Sequence, residues 1–293
     1  MRIGLLILPI HPWAEARRLW RDAEEGGFDS AWTYDHLSYQ GFRERPWFGA
    51  VPVLAAAAAV TERIRLGSLV SSPNVRHPVA LAEDVAALDD VSSGRFTLGV
   101  GCGTTGFDAS ALGDGPRSLD EREDRFEEFV GLLDRLLTAP ATARTGRLHP
   151  AEEARTVPDR VRRPRVPFAV AGERARAMRL AARYGQAWVS CPAGDLPPAD
   201  CPGRVARRLD RLGELCAEQG RDVKELDRIL LTGYTTERPC ASVDRFVDLA
   251  GRYAEAGVTE LVVHLPVADS RFAADERVFA RIVEEGLPQV RPL

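Results

Sequence analysis

GRFTLGVGCGTTGFDASALGDGP, residues 94–116, carries Gly101, Gly103 and Gly106 in the G-x-G-x-x-G spacing of a dinucleotide-binding turn. That turn works only if a helix opens at the third glycine, so that its N-terminus faces a pyrophosphate. Here Gly106 is followed by FDASALGDGP, which does not sustain a clean helical pattern, and the next helical pattern starts near Leu119. No further strand ending in Asp or Glu follows about 20 residues on, where the ribose-binding acid would stand. The stretch is therefore read as a buried strand whose carboxyl end opens into a glycine-rich loop.

Outward from it, short apolar runs alternate with longer helical patterns along the whole chain. Strands are predicted at 2–8, 29–35, 64–70, 96–101, 166–171, 187–190, 228–234 and 260–265. Each is almost continuously apolar, as expected of strands covered on both faces. In 13–28, Trp13, Ala16, Leu19, Trp20 and Ala23 recur at helical spacing, and Gly26-Gly27 stops the helix. The same period runs through 81–94, 122–137, 174–185, 205–220, 243–257 and 275–287. Eight strands, each followed by a helix, in 293 residues is the count of a (β/α)8 TIM barrel, with a doubly wound sheet as the alternative. Residues 1–293 read as a single barrel domain. Residues 139–165, rich in Pro, Ala and Arg and without periodicity, read as a surface insertion between the fourth long helix and the fifth strand. Its Arg155, Arg160, Arg162, Arg163 and Arg165 read as a solvated loop.

A net charge of -4 gives no reason to expect a nucleic acid or an anionic membrane as partner. The 5 cysteines, Cys102, Cys191, Cys201, Cys216 and Cys240, have no metal-ligand spacing and suit reduced thiols in a cytoplasmic protein. The apolar opening MRIGLLILPI is far shorter than a membrane span and reads as the first buried strand.

In a barrel, the loops after the strands build the site. Strand 2 ends in Asp35-His36-Leu37, and a histidine at the mouth can hydrogen-bond a ligand or act as acid and base near neutral pH. Strand 3 leaves through SLVSSPNVRHP (68–78), a polar exit that must bend. Strand 4 opens at Gly101, Gly103 and Thr104, where glycines let backbone approach a flat ligand closely. Strand 5 ends in Ala171-Gly172-Glu173-Arg174 and runs straight into a helix whose free N–H groups could hold a phosphate. The segment 104–116 has the Gly and Pro content of a lid.

These strand ends, in this order, resemble the luciferase-like monooxygenase superfamily of flavin- and deazaflavin-dependent oxidoreductases. The resemblance is carried by GFDSAWTYDHL (27–37), the stretch 63–103 and the stretch 163–190. Within 63–103, Arg76-His77-Pro78, Leu81-Ala82, Leu88-Asp89 and Ser93-Gly94-Arg95-Phe96 fit the family spacing. The resemblance implies the same barrel fold, a cofactor ring at its carboxyl-end mouth, and a small-molecule substrate. Asp35-His36 looks like the pair that touches the ring edge in members using coenzyme F420, whereas FMN users more often carry a Glu-His-His segment. Leu69-Val70-Ser71 stands where many relatives place a non-proline cis peptide behind the ring. Gly101, Gly103 and Thr104 would line the other side, and Gly172, Glu173 and Arg174 would receive the cofactor phosphate. His36 would be the catalytic residue of an F420-dependent hydride transfer; an FMN-dependent monooxygenase activating O2 is the alternative.

Departures accompany the match. Gln40 and Thr104 replace the Trp and the acid of the family's deazaflavin sugar-phosphate dehydrogenases, which argues against that substrate. Gln186-Ala187-Trp188 replaces the common Asp-Gly-Trp. A non-catalytic flavin-binding relative would share the barrel without turnover. A metal-dependent hydrolase would have only His11, His36 and His264 to offer, with no H-x-H and no paired carboxylates. Trp13, Trp20 and Trp47 are candidates for core or for a homodimer surface.

Overall fold

The apolar runs form parallel strands because each has a helix to cover one face and the barrel interior to fill the other. The structure, a computed structural model, describes residues 1–139, 146–154, 161–194 and 197–292. Its strands are β1 (Arg2–Leu6), β2 (Ser30–Thr33), β3 (Arg65–Ser71), β4 (Phe96–Val100), β5 (Phe168–Ala171), β6 (Ala187–Ser190), β7 (Asp227–Leu231) and β8 (Glu260–His264). They pair in chain order, and β8 closes on β1 through Arg2 opposite Glu260 and Leu6 opposite His264. The TIM barrel is thus the observed fold, and the doubly wound alternative is excluded.

The helices are α1 (Trp13–Glu25), α2 (Ala50–Ala58), α3 (Pro78–Val91), α4 (Asp108–Ala111), α5 (Leu119–Thr138), α6 (Ala175–Tyr184), α7 (Cys201–Glu218), α8 (Val243–Glu255), α9 (Glu276–Arg281) and α10 (Leu287–Val290). Periodicity located the long ones but not α2. Its sequence AVPVLAAAA is apolar on every side, so no polar face marks it. Within the stretch expected to carry no clean helix, Asp108–Ala111 form the single turn α4.

A polar plug closes the amino-end of the barrel. The fully buried Glu260 accepts from Ser30 Oγ and, through Oε2, from Arg65 at 2.7 Å and Arg2 at 3.3 Å. Above it Trp32 fills the interior, and Gly67 makes the room: a Cβ there would lie 2.3 Å from Trp32 Cζ3. Glu260 and Trp32 thus fill the lower barrel interior, and the large cavity lies among the loops at the carboxyl ends of the strands.

Of the insertion 139–165, residues 140–145 and 155–160, with Arg155 and Arg160, lie outside the described residues. The expectation of a solvated arginine loop is corrected at Arg165, which is buried. Its guanidinium bonds Asp134 at 2.7 Å, the Tyr184 carbonyl and Gln186 Oε1, and lies over the Phe168 ring. Arg162 bonds the Gly94 carbonyl at 2.7 Å. Trp20 is core, Trp13 is exposed, and Trp47 is half-buried. Among the described residues no helix is long and apolar enough to cross a membrane.

Candidate active site

The βα loops enclose a cavity of ≈ 1240 Å³ at the carboxyl end of the barrel. Of the residues singled out in the sequence, His36, Leu69, Val70, Gly101, Gly103 and Thr104 line it, and so do Gly172, Glu173 and Arg174. Asp35 and Ser71 do not. Both are buried, and they bond each other: Ser71 Oγ donates to Asp35 Oδ2 at 2.6 Å. Arg76 clasps the same carboxylate with two bonds, at 2.9 and 2.7 Å. Asp35 thus anchors the β3 exit from beneath the cavity.

Leu69 and Val70 are consecutive yet both reach the cavity, although strand neighbours normally face opposite ways. The β3–β4 register shifts between Ser68 and Ser71, and an irregularity of this kind re-aims side chains. The Leu69–Val70 peptide is cis, as the resemblance implied.

The cavity wall differs between its two arcs. From the segments after β2 and β7 come Tyr34, Tyr39 and Tyr234. Tyr39 donates to Tyr234 Oη at 2.8 Å, Tyr234 bonds Tyr34, and Tyr34 Oη lies 2.7 Å from His264 Nε2. Burial raises the pKa of all three phenols, keeping them protonated. Burial, with Arg271 adding to it, pushes His264 down to about 3, and its ring stacks on Phe272. The whole network is uncharged at neutral pH.

His36 sits beside this network, its ring 5.1 Å from that of Tyr39. Its Nδ1 bonds the buried carboxylate of Asp108 in α4, which also accepts from Leu37 N at 2.9 Å. Its carbonyl accepts from Trp47 Nε1 at 2.8 Å. The segment 104–116 is therefore docked onto the β2 loop through Asp108.

The opposite arc is cationic. Arg122, Arg174, Arg176, Arg204 and Arg208 line it from α5, the β5–α6 turn, α6 and α7. Arg176 pairs with Asp124 and Glu127, and Arg204 with Glu173 at 2.9 Å. The guanidinium groups of Arg174 and Arg208 make no hydrogen bond or ion pair among the described residues. Arg122 donates to the Gly103 carbonyl at 2.7 Å, while its Nε is buried without a partner. The α6 N-terminus has no side-chain cap, so its first N–H groups are not satisfied by one.

Sequence reasoning missed Asp108, the three tyrosines, Arg122, Arg204 and Arg208. Only Tyr34, next to Asp35-His36, carried a local signal; the others arrive through contacts between distant loops. Among the described residues no three or more His, Cys, Asp or Glu side chains stand close enough to hold a metal ion.

The family model "Luciferase-like monooxygenase" matches residues 1–260. The chain belongs to the luciferase-like monooxygenase family. Within it, the chain is 32% identical to an F420-dependent glucose-6-phosphate dehydrogenase of Beutenbergia cavernae, over 92% of this chain and 91% of that protein. It is also 32% identical to 4-hydroxyprotoasukamycin monooxygenase of Streptomyces nodosus subsp. asukaensis, over 85% of this chain and 68% of that protein. Among solved structures, the F420-dependent tetrahydromethanopterin reductase of Methanopyrus kandleri superposes with a TM-score of 0.75, over 99% of each chain at 17% identity. That last likeness supports the luciferase-like barrel as the fold. The two curated relatives are oxidoreductases, and this chain is an enzyme of that class.

Proposed function

We propose that this enzyme binds coenzyme F420 and exchanges a hydride with a small alcohol or carbonyl substrate. The observation that carries the reading is the division of the cavity wall between an uncharged arc holding His36 and an arc holding unpaired arginines. Arg174, Arg208, the orphaned Nε of Arg122 and the uncapped start of α6 form a set of donors without acceptors. A phosphate-bearing cofactor supplies those acceptors. Gly101, Gly103, Leu69 and Val70 offer a narrow apolar cleft for a flat ring. When bound, the deazaflavin supplies a two-electron hydride acceptor or donor.

The chain's own residues do the rest. Arg174 and Arg208 hold the phosphate. Glu173 accepts from Ser190 and Arg204 and so orients that loop. Asp35 positions the β3 exit through Arg76 and Ser71, holding Leu69 and Val70 against the cofactor ring. Tyr34, Tyr39 and Tyr234 give the substrate an uncharged, hydrogen-bonding wall, which disfavours a phosphorylated sugar. His36 Nε2 takes the hydroxyl proton of an alcohol, or returns it to a carbonyl oxygen. A cytoplasmic location and a homodimer belong to the same proposal; the free cysteines suit the former, and exposed Trp13 and Phe48 suit the latter.

FMN-supported O2 activation is the second reading, favoured by the identity with the Streptomyces monooxygenase. Fluorescence titration of the purified protein with F420 and FMN, each oxidised and reduced, decides between them. F420 is expected to bind tighter, and the Arg174→Ala, Arg208→Ala double variant to bind it about tenfold or more weaker, as loss of charge-assisted hydrogen bonds implies. A clear preference for FMN would overturn the hydride-transfer reading.

A further inference from the structure

Asp108 is a buried carboxylate for which the proposed hydride chemistry has no direct use. It is 5% exposed and lies 72 residues from His36 in sequence, yet both its oxygens are committed to the β2 loop. Oδ1 accepts the Leu37 N–H at 2.9 Å, and Oδ2 meets His36 Nδ1. Trp47 grips the His36 carbonyl from another side, and the rings of Tyr34 and Tyr39 flank the imidazole. His36 Nε2 makes no hydrogen bond among the described residues, and the residue lines the cavity.

An ionised carboxylate accepts hydrogen bonds and donates none. With Asp108 as a carboxylate, the hydrogen between it and His36 belongs to Nδ1, and an imidazole carrying that one hydrogen presents a bare Nε2. We propose that Asp108 is a positioning residue that fixes the Nδ1–H tautomer of His36 and so makes Nε2 the base for substrate hydroxyl groups. This rests on the alcohol–carbonyl chemistry proposed above. A bound oxidised deazaflavin would accept the carbinol C–H electron pair as hydride, and Nε2 would take the O–H proton. The O–H electron pair then closes the carbonyl. The imidazolium that forms is balanced by the Asp108 carboxylate, as in a Ser-His-Asp triad.

Asp108→Asn is a sharp test because it keeps shape and reverses donor logic. The Leu37 N–H still needs an acceptor, so the amide oxygen stays there and the NH2 group turns to Nδ1. Nδ1 must then accept, and the proton moves to Nε2. Nitrogen-15 NMR of the histidine rings in the full-length, cofactor-free protein reads this directly. The expected result is a protonated Nδ1 in the wild type and a protonated Nε2 in Asp108→Asn. In the F420-loaded enzyme, kcat should fall about 100- to 10,000-fold while KM and cofactor affinity move less than about threefold. A wild-type Nε2–H tautomer, or an Asn variant with unchanged tautomer or turnover, overturns the proposal. If the Asn variant does not fold, Asp108→Glu must retain the wild-type tautomer, and its failure to do so counts equally against it. Absence of F420 binding would sink the hydride-transfer reading while leaving the tautomer result to stand by itself.

Discussion

Asp35 and His36 are adjacent in sequence, yet one is buried beneath the cavity and the other lines it. Strand-end alternation sends them to opposite sides, and packing decides what each meets. Asp35 is held by two bonds from Arg76 and one from Ser71 in a nearly dry setting. Removing one partner of such a pair leaves an uncompensated buried charge. Arg76→Ala should therefore lower the unfolding free energy by about 3 kcal/mol or more, measured by urea denaturation. A loss under about 1 kcal/mol would place the pair among ordinary surface bridges. His36 was legible as a site residue because it ends a strand at the barrel mouth, within an Asp-His pair that resembles the family's. Asp108 was not, because its meaning lies entirely in a partner 72 residues away.

The elements were legible in proportion to how strongly a local pattern reports burial. All eight strands stand where apolar runs put them, within about two or three residues at each end. The start of α5 follows from a capping box, with Ser118 bonding Glu121 N and Glu121 bonding back. Helix α2 carries no such signal, being apolar all round. The approach of β3 to β4 is a matter of backbone contact. A Cβ at Gly99 would stand 2.0 Å from the Ser68 carbonyl oxygen, an obstacle that cannot rotate away. Overpacking a core ordinarily costs about 1–3 kcal/mol. Gly99→Ala should reach or exceed the upper end of that range, seen as a lowered Tm or loss of soluble protein. An unperturbed Tm would mean that the two strands can separate without cost. Such a glycine reads in sequence only as a weak point in a strand.

At the scale of the whole molecule, two buried histidines tie stability to acid. His149, packed against Phe129, is pushed down to about 4 by burial, with Arg125 adding to it. His264 is pushed down to about 3 by burial and Arg271. Unfolded, each titrates near 6.5, so below that pH the unfolded chain binds protons that the native state refuses. Stability should therefore fall as pH drops from about 7 to about 5, read as a declining urea midpoint. His149→Gln should flatten part of that decline, and a midpoint constant across the window would count against both assignments. The sequence by itself determined the strand count, the family and the loops that build the cavity, and it favoured the barrel over a doubly wound sheet. Those rest on local periodicity and on short motifs, which are properties of neighbouring residues. Only the tertiary structure decided that Asp35 lies under the cavity, that Arg165 is buried, and that α4 docks on the β2 loop through Asp108. It alone also divided the cavity between phenols and arginines. Each of these is a contact between segments far apart in the chain, and closing the barrel is what brings those segments together.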